Sequence, residues 1–155
     1  MQNNYKKFGV YLIVDTFFYC DNIVMSYVKY NENPCGKFTT DCTVRALSTL
    51  MNERWDVVYL QLCLIGLTMC EMPSTKAVIH EYLRRNGYLR YTIPNRYPAD
   101  YSVRDFAEDH KYGTYLLTTD SHVVPVIDGC WIDNWDSAEE IILFYWTKGA
   151  VEDAI

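Results

Sequence analysis

Asp128-Gly129, set between two β-prone runs, constrains the fold of this 155-residue chain more than any other feature. Asp-Gly accepts the positive-φ conformation of a two-residue hairpin turn. The turn therefore folds His122-Val123-Val124-Pro125-Val126-Ile127 back on Trp131-Ile132-Asp133. Asp133, eleven residues after His122, lies on the returning strand and can reach the imidazole. Asn134 and Asp136 are the substitutes, because a one-residue slip in register reverses which side chains face inward.

The rest of the chain divides around this hairpin. From Tyr112 onward the pattern is β, with strands expected at Thr114–Thr118, His122–Ile127, Trp131–Asp133 and Ile141–Trp146. Before it the periodicity is helical. Val44, Leu47, Leu50 and Met51 recur at helix spacing over about 42–52, with Thr39, Thr40 or Asp41 as cap. A second helix fits Trp55 to Cys70, with Asn52 as cap; it is apolar nearly all round, as a central buried helix would be. A third runs from Ser74 to Gly87, and a short one from Ser102 to His110. Residues 88–100, with Pro94 and Pro98, read as an irregular crossing. At the start of the chain, Gly9 to Tyr19 and Ile23 to Tyr30 read as a hairpin joined at Cys20-Asp21-Asn22. Helices followed by a mainly antiparallel sheet make an α+β fold. One domain spans 1–155, with residues 1–33 as a hairpin extension and 34–147 as the core.

Bulk composition narrows the function. A net charge of −6 argues against a general nucleic-acid binder, with only a local basic patch around Arg84, Arg85, Arg90 and Arg96. No run reaches transmembrane length without a charge, so no membrane partner is expected. Six cysteines without a compact framework read as cytosolic thiols, and the chain as cytoplasmic. No cofactor or metal is expected.

The chemistry-bearing residues are Cys42, His122 and Asp133. A thiolate is a strong nucleophile, and both a helix N-terminus and a neighbouring imidazolium favour it over the thiol. The imidazole then protonates the leaving group, and a carboxylate holds its tautomer. Asp41, beside the thiol, would oppose ionisation unless it turns away to pair with Arg45 or to cap the helix.

The run Asp41-Cys42-Thr43-Val44-Arg45-Ala46-Leu47, followed by Trp55-Asp56-Val57-Val58-Tyr59, resembles small papain-like cysteine peptidases of bacterial and phage genomes. The segments Tyr101-Ser102-Val103-Arg104-Asp105-Phe106, Gly113-Thr114-Tyr115, His122 to Gly129 and Asp133-Asn134-Trp135-Asp136 are similar as well. The likeness covers roughly 36–147. It implies a papain-like fold, with Cys42 as nucleophile, His122 as general base and Asp133 as the residue orienting its ring. One departure stands out. Such enzymes place a Gln a few residues before the Cys as an oxyanion donor, and residues 35–40 contain none. The Cys42 N–H supplies one donor; Asn31, Asn33 or a Thr hydroxyl are the candidates for the other.

Other side chains have plainer readings. Cys63 and Cys70 read as core, Cys20 and Cys130 as strand packing. Cys35 is a loop thiol that would make a redox pair with Cys42 or share a metal with His122. His80 and His110 read as helix-surface residues, Trp131 and Trp135 as closing the sheet, and Asp100, Asp105, Glu108 and Asp109 as a solvated face. Two functions follow. One is a cysteine-dependent hydrolase acting on a peptide, isopeptide or amide. The other is a papain-like module with weak or lost catalysis that holds a partner, such as a phage-encoded protein blocking a host factor. The N-terminal hairpin would offer an edge to a second copy.

Overall fold

A computed structural model of the protein describes residues 26–94 and 97–148. Its described elements are β1 (Tyr27–Lys29), α1 (Cys42–Met51), α2 (Trp55–Met69), α3 (Lys76–Arg85), β2 (Leu89–Thr92), α4 (Val103–Asp109), β3 (Thr114–Thr118), β4 (Val123–Ile127), β5 (Cys130–Asp133) and β6 (Phe144–Thr147). The fold is α+β. The six strands form one mixed sheet in the order β1-β5-β4-β3-β6-β2. Every neighbouring pair is antiparallel except β1 with β5.

Successive strand residues point to opposite faces, and the core divides accordingly. On β3, Leu116 joins a cluster with Leu47, Leu62 and Leu83 of α1, α2 and α3. Its neighbour Leu117 joins a second cluster with Phe106 of α4, Val124 and Val126. On β6, Trp146 belongs to the first cluster and Tyr145 to the second. The sheet therefore separates three helices on one face from α4 on the other. The Asp128-Gly129 turn forms as expected, with φ of 48° and 74°, and it pairs Val126 with Trp131 and Ile127 with Cys130.

Several expectations are corrected. Leu89–Thr92, within the segment read as irregular, is an edge strand paired with β6; its Tyr and Thr suit a strand, and Pro94 ends it. Asn52 does not cap α2. It closes α1 in the left-handed region at φ 51°, and Arg54 precedes α2. Nor is α2 a buried central helix. It buries Val58, Leu62, Ile65 and Gly66 on one side and exposes Leu60, Leu64 and Leu67 on the other. Thr75, whose hydroxyl accepts from the Val78 N–H, starts α3 later than expected. The last strand begins at Phe144 rather than Ile141, which forms only an isolated bridge with Ser102.

Of the N-terminal hairpin, Gly9 to Tyr19 lies outside the described residues. The described part of its second strand, β1, pairs in parallel with β5 at the edge of the main sheet. No helix among the described residues is long and apolar enough to cross a membrane.

The supposed acidic face is also partly structural. Asp105 forms a reciprocal cap with Ser102 at the start of α4, and Asp109 accepts from the Tyr101 hydroxyl at 2.7 Å. Cys63 is half-buried and Cys70 exposed, so neither is core; Cys130 is buried on β5 as expected.

Candidate active site

Cys42 is the first residue of α1. The Arg45 N–H bonds the Asp41 carbonyl at 3.0 Å to open the helix. The N–H groups of the preceding turn have no intrahelical acceptor, as at every helix start. Asp41 makes no side-chain capping bond to them. Its carboxylate instead accepts from Arg45 Nε (2.8 Å), Asn33 Nδ2 (2.8 Å) and Trp55 Nε1 (3.1 Å). The carboxylate beside the nucleophile is thus held by Arg45, Asn33 and Trp55 and leaves the helix N-terminus uncapped.

His122 stands immediately before β4. A tight turn holds it: its N–H donates to Thr119 Oγ1 at 3.1 Å, and its carbonyl accepts from the Thr119 N–H at 2.9 Å. Asp133 ends β5 and is 5% exposed. Strand β1 clamps that end, with Lys29 opposite Asp133 and the Tyr30 N–H bonded to the Asp133 carbonyl at 2.8 Å. His122 Nε2 meets Asp133 Oδ2 at 2.5 Å. The other carboxylate oxygen accepts the Asn134 N–H at 2.7 Å and lies 3.6 Å from an Arg45 guanidinium nitrogen.

The His122 ring and the Cys42 thiol line the same cleft and act on one another's ionisation. Because Nε2 faces Asp133, Nδ1 is the ring atom left for sulfur. The His122 ring is the main cause holding the Cys42 thiol below its ordinary range. Burial opposes it, while the charges of His122 and Arg45 and a bond from Thr43 support it. Burial alone would push the imidazole down. The hydrogen bonds and charges of Asp133 and Cys42 together outweigh burial and raise it to about 9. At neutral pH both shifts favour thiolate and imidazolium.

Two residues have larger roles here than sequence suggested. Arg45, 7% exposed, joins Asp41 to Asp133. Its place three residues after Cys42, on the same side of the helix, was the available signal. Trp135 does not close the sheet. It is 45% exposed, with its ring centroid 5.4 Å from that of His122, and covers one side of the imidazole. Trp131 is buried as expected, and its indole donates to Asp136 at 2.9 Å, so Asp136 is not the partner of His122. Asn134 contributes its backbone N–H to Asp133 and leaves its side-chain oxygen buried without a bond.

The Asn33 side chain is committed to Asp41 and to the Cys35 and Lys37 N–H groups, which removes it as an oxyanion donor. Cys35 is exposed and not bridged to Cys42. Among the described residues no group of three or more His, Cys, Asp or Glu is placed to hold a metal. A cleft of about 220 Å3 opens beside Cys42 and His122 along α3, β3 and β6. His80 lines it, 5.0 Å from the Trp146 ring, and is not a plain helix-surface residue. His110 is likewise half-buried, stacked on Phe106 at 3.9 Å.

Comparison of the chain with protein-family models, with curated proteins and with solved structures finds no match.

Proposed function

We propose that the protein is a cysteine-dependent hydrolase of the peptidase or amidase type, papain-like in arrangement, using Cys42, His122 and Asp133 through an acyl-enzyme. The observation that carries this reading is that Cys42, at the start of α1, and His122 line one cleft, with the His122 ring hydrogen-bonded to Asp133 and coupled electrostatically to the thiol. In this reading the Cys42 thiolate attacks a substrate carbonyl carbon and a C–S bond forms. The carbonyl oxygen becomes an oxyanion facing the first N–H groups of α1. His122 passes its proton to the leaving nitrogen as the C–N bond breaks. A water then gives a proton to His122 and attacks the thioester. The C–S bond breaks, the acid leaves and the thiolate–imidazolium pair is restored. An amine in place of water would turn the same steps into acyl transfer.

The test is limiting iodoacetamide labelling at pH 6, read by peptide mapping, on the wild type and His122→Ala. At that pH an ordinary thiol is only roughly 0.3% ionised. Selective labelling of Cys42 that collapses in the variant supports the reading. Cys42 labelling no faster than exposed Cys35, with no effect of His122, would sink it.

One observation favours the second reading, a catalytically weak scaffold that holds a partner. The outer side of α2 exposes Leu60 (61%), Leu64 (62%) and Leu67 (76%), and the helix carries no charge after Asp56. An uncharged apolar stripe on a surface helix is a contact surface in search of cover. Cys42→Ala separates the readings: it abolishes hydrolysis but leaves partner capture through α2 intact.

A further inference from the structure

The cleft beside Cys42 has a composition that the hydrolase reading does not use. Its inner wall is core: Leu83 and Leu116 are fully buried, and Ile79, Phe144 and Trp146 complete it. Its volume of about 220 Å3 is below the range of roughly 300–1,000 Å3 typical of pockets for drug-sized ligands. It suits a single large side chain or a short acyl group. His80 and Trp146 also line a second hollow of about 340 Å3 farther from the thiol, together with Arg84 and Arg90. The two hollows adjoin at His80 and Trp146, and together they make a groove leading from Cys42.

The charge along this groove runs against that of the molecule. The chain carries −6, yet Lys76 stands on the α3 wall and Arg90 at the far end. Both charges face the half-buried His80, whose ring is held toward neutrality first by burial and then by Arg90 and Lys76. Of the basic patch read from the sequence, Arg84 and Arg85 are both paired with Glu81. Arg90 differs. Its guanidinium lies over the Phe144 ring at 4.8 Å, and among the described residues neither it nor Lys76 has a carboxylate at ion-pair distance. Of the acids lining it, Glu81 is held by Arg84 and Arg85, and exposed Asp120, at the Cys42 end, has no ion pair among the described residues.

We propose that this groove recognises the substrate, taking a large apolar group next to the scissile carbonyl and an anionic group, a carboxylate, beyond it. The inference rests on the hydrolase reading of Cys42. The apolar group would fill the hollow against Ile79, Phe144 and Trp146, and the carboxylate would meet Arg90 and Lys76. A hydrophobic residue followed by an acidic one in an extended peptide has this shape.

The experiment compares Cys42 alkylation by iodoacetamide, by N-phenethyl-iodoacetamide, and by its para-carboxylate and para-aminomethyl derivatives. In each case the thiolate displaces iodide, so the reactive step is shared and only the appended group differs. The phenethyl group should raise the second-order rate about tenfold, the worth of a modest apolar contact. The carboxylate should add about threefold and the ammonium remove as much, in keeping with exposed charge pairs. Arg90→Gln should shrink the difference between carboxylate and ammonium, and Arg90→Gln combined with Lys76→Gln should erase it. Equal rates for all reagents at a fast Cys42 would overturn the recognition site and leave the hydrolase reading standing.

If Cys42 is no faster than Cys35 towards iodoacetamide, the hydrolase reading fails instead. Recognition is then decided without chemistry, by tryptophan fluorescence titration of Cys42→Ala with N-acetyl-Phe-Glu and N-acetyl-Phe-Gln. Preference for the acidic dipeptide that falls on Arg90→Gln and disappears on Arg90→Gln with Lys76→Gln supports the groove; equal binding of the two by the Cys42→Ala protein refutes it.

Discussion

Arg45→Met tests the buried charge network beneath the site. Arg45 is 7% exposed and sits between Asp41 at 2.8 Å and Asp133 at 3.6 Å. Methionine preserves much of the packing of the stem but removes the charge, leaving two buried carboxylates without their cation. Breaking a buried pair from one side costs about 3–5 kcal/mol. The lower end applies here, because each carboxylate keeps other donors: Asn33 and Trp55 for Asp41, His122 and the Asn134 N–H for Asp133. The expected loss is about 3 kcal/mol, which for a chain of this size lowers Tm by roughly 6–12 °C. Urea unfolding followed by tryptophan fluorescence measures it. The control is Arg54→Met, which breaks a pair whose side chains are 74% and 50% exposed and should leave stability nearly unchanged, because solvent screens such a pair. Adding Asp41→Asn to Arg45→Met should recover part of the loss, since it removes one stranded charge. Equal, small losses at Arg45 and Arg54 would refute the claim that burial makes this network matter.

Four further outcomes are expected. The rate of Cys42 alkylation should rise from a pH well below the ordinary thiol range, set by the lowered thiol pKa, and the imidazolium-dependent component should fall away near pH 9, where His122 loses its proton. In stability the His122 pKa is raised on folding, so its contribution is present below about 6.5 and lost as pH rises through about 9; the difference between wild type and His122→Gln should vanish at the alkaline end. Gly66→Ala should cost about 1–3 kcal/mol in urea unfolding, because its Cβ would lie 2.6 Å from the Glu71 carbonyl oxygen, a backbone atom that cannot swing aside. Cys70→Gly should gain about 0.5–1 kcal/mol by the same assay, since Cys70 closes α2 at φ 55°, where a side chain is strained.

The elements that sequence revealed are those whose signal is local. The Asp128-Gly129 turn needs only its own two residues to specify a hairpin, and that hairpin alone predicts the meeting of His122 and Asp133. The position of Cys42 at a helix start is legible from the periodicity of Val44, Leu47 and Leu50. What was illegible depends on partners distant in the chain. Leu89–Thr92 becomes a strand because β6 is there to pair with it, and nothing within residues 88–100 announces β6. The apolar character of α2 reads as burial by every composition rule, yet only one side has a neighbour, because α1 and α3 pack against Val58, Leu62 and Ile65 alone. Parallel pairing of β1 with β5 is likewise a property of the assembled sheet.

The same distinction explains the acid beside the nucleophile. Read locally, Asp41 next to Cys42 is a contradiction, since a carboxylate there raises the thiol pKa. In the fold, three donors from Asn33, Arg45 and Trp55 hold that carboxylate, and it is not among the groups that shift the Cys42 thiol. Arg45 then places one of its two terminal guanidinium nitrogens 3.6 Å from Asp133. One cation thus steadies two anions, one that must be kept from Cys42 and one that must be kept against His122. Moving Arg45 by a single position along α1 would turn it by about 100° around the helix and separate it from both. The spacing of Asp41, Cys42 and Arg45 on one turn is therefore as much a part of the site as the three residues proposed to carry the chemistry.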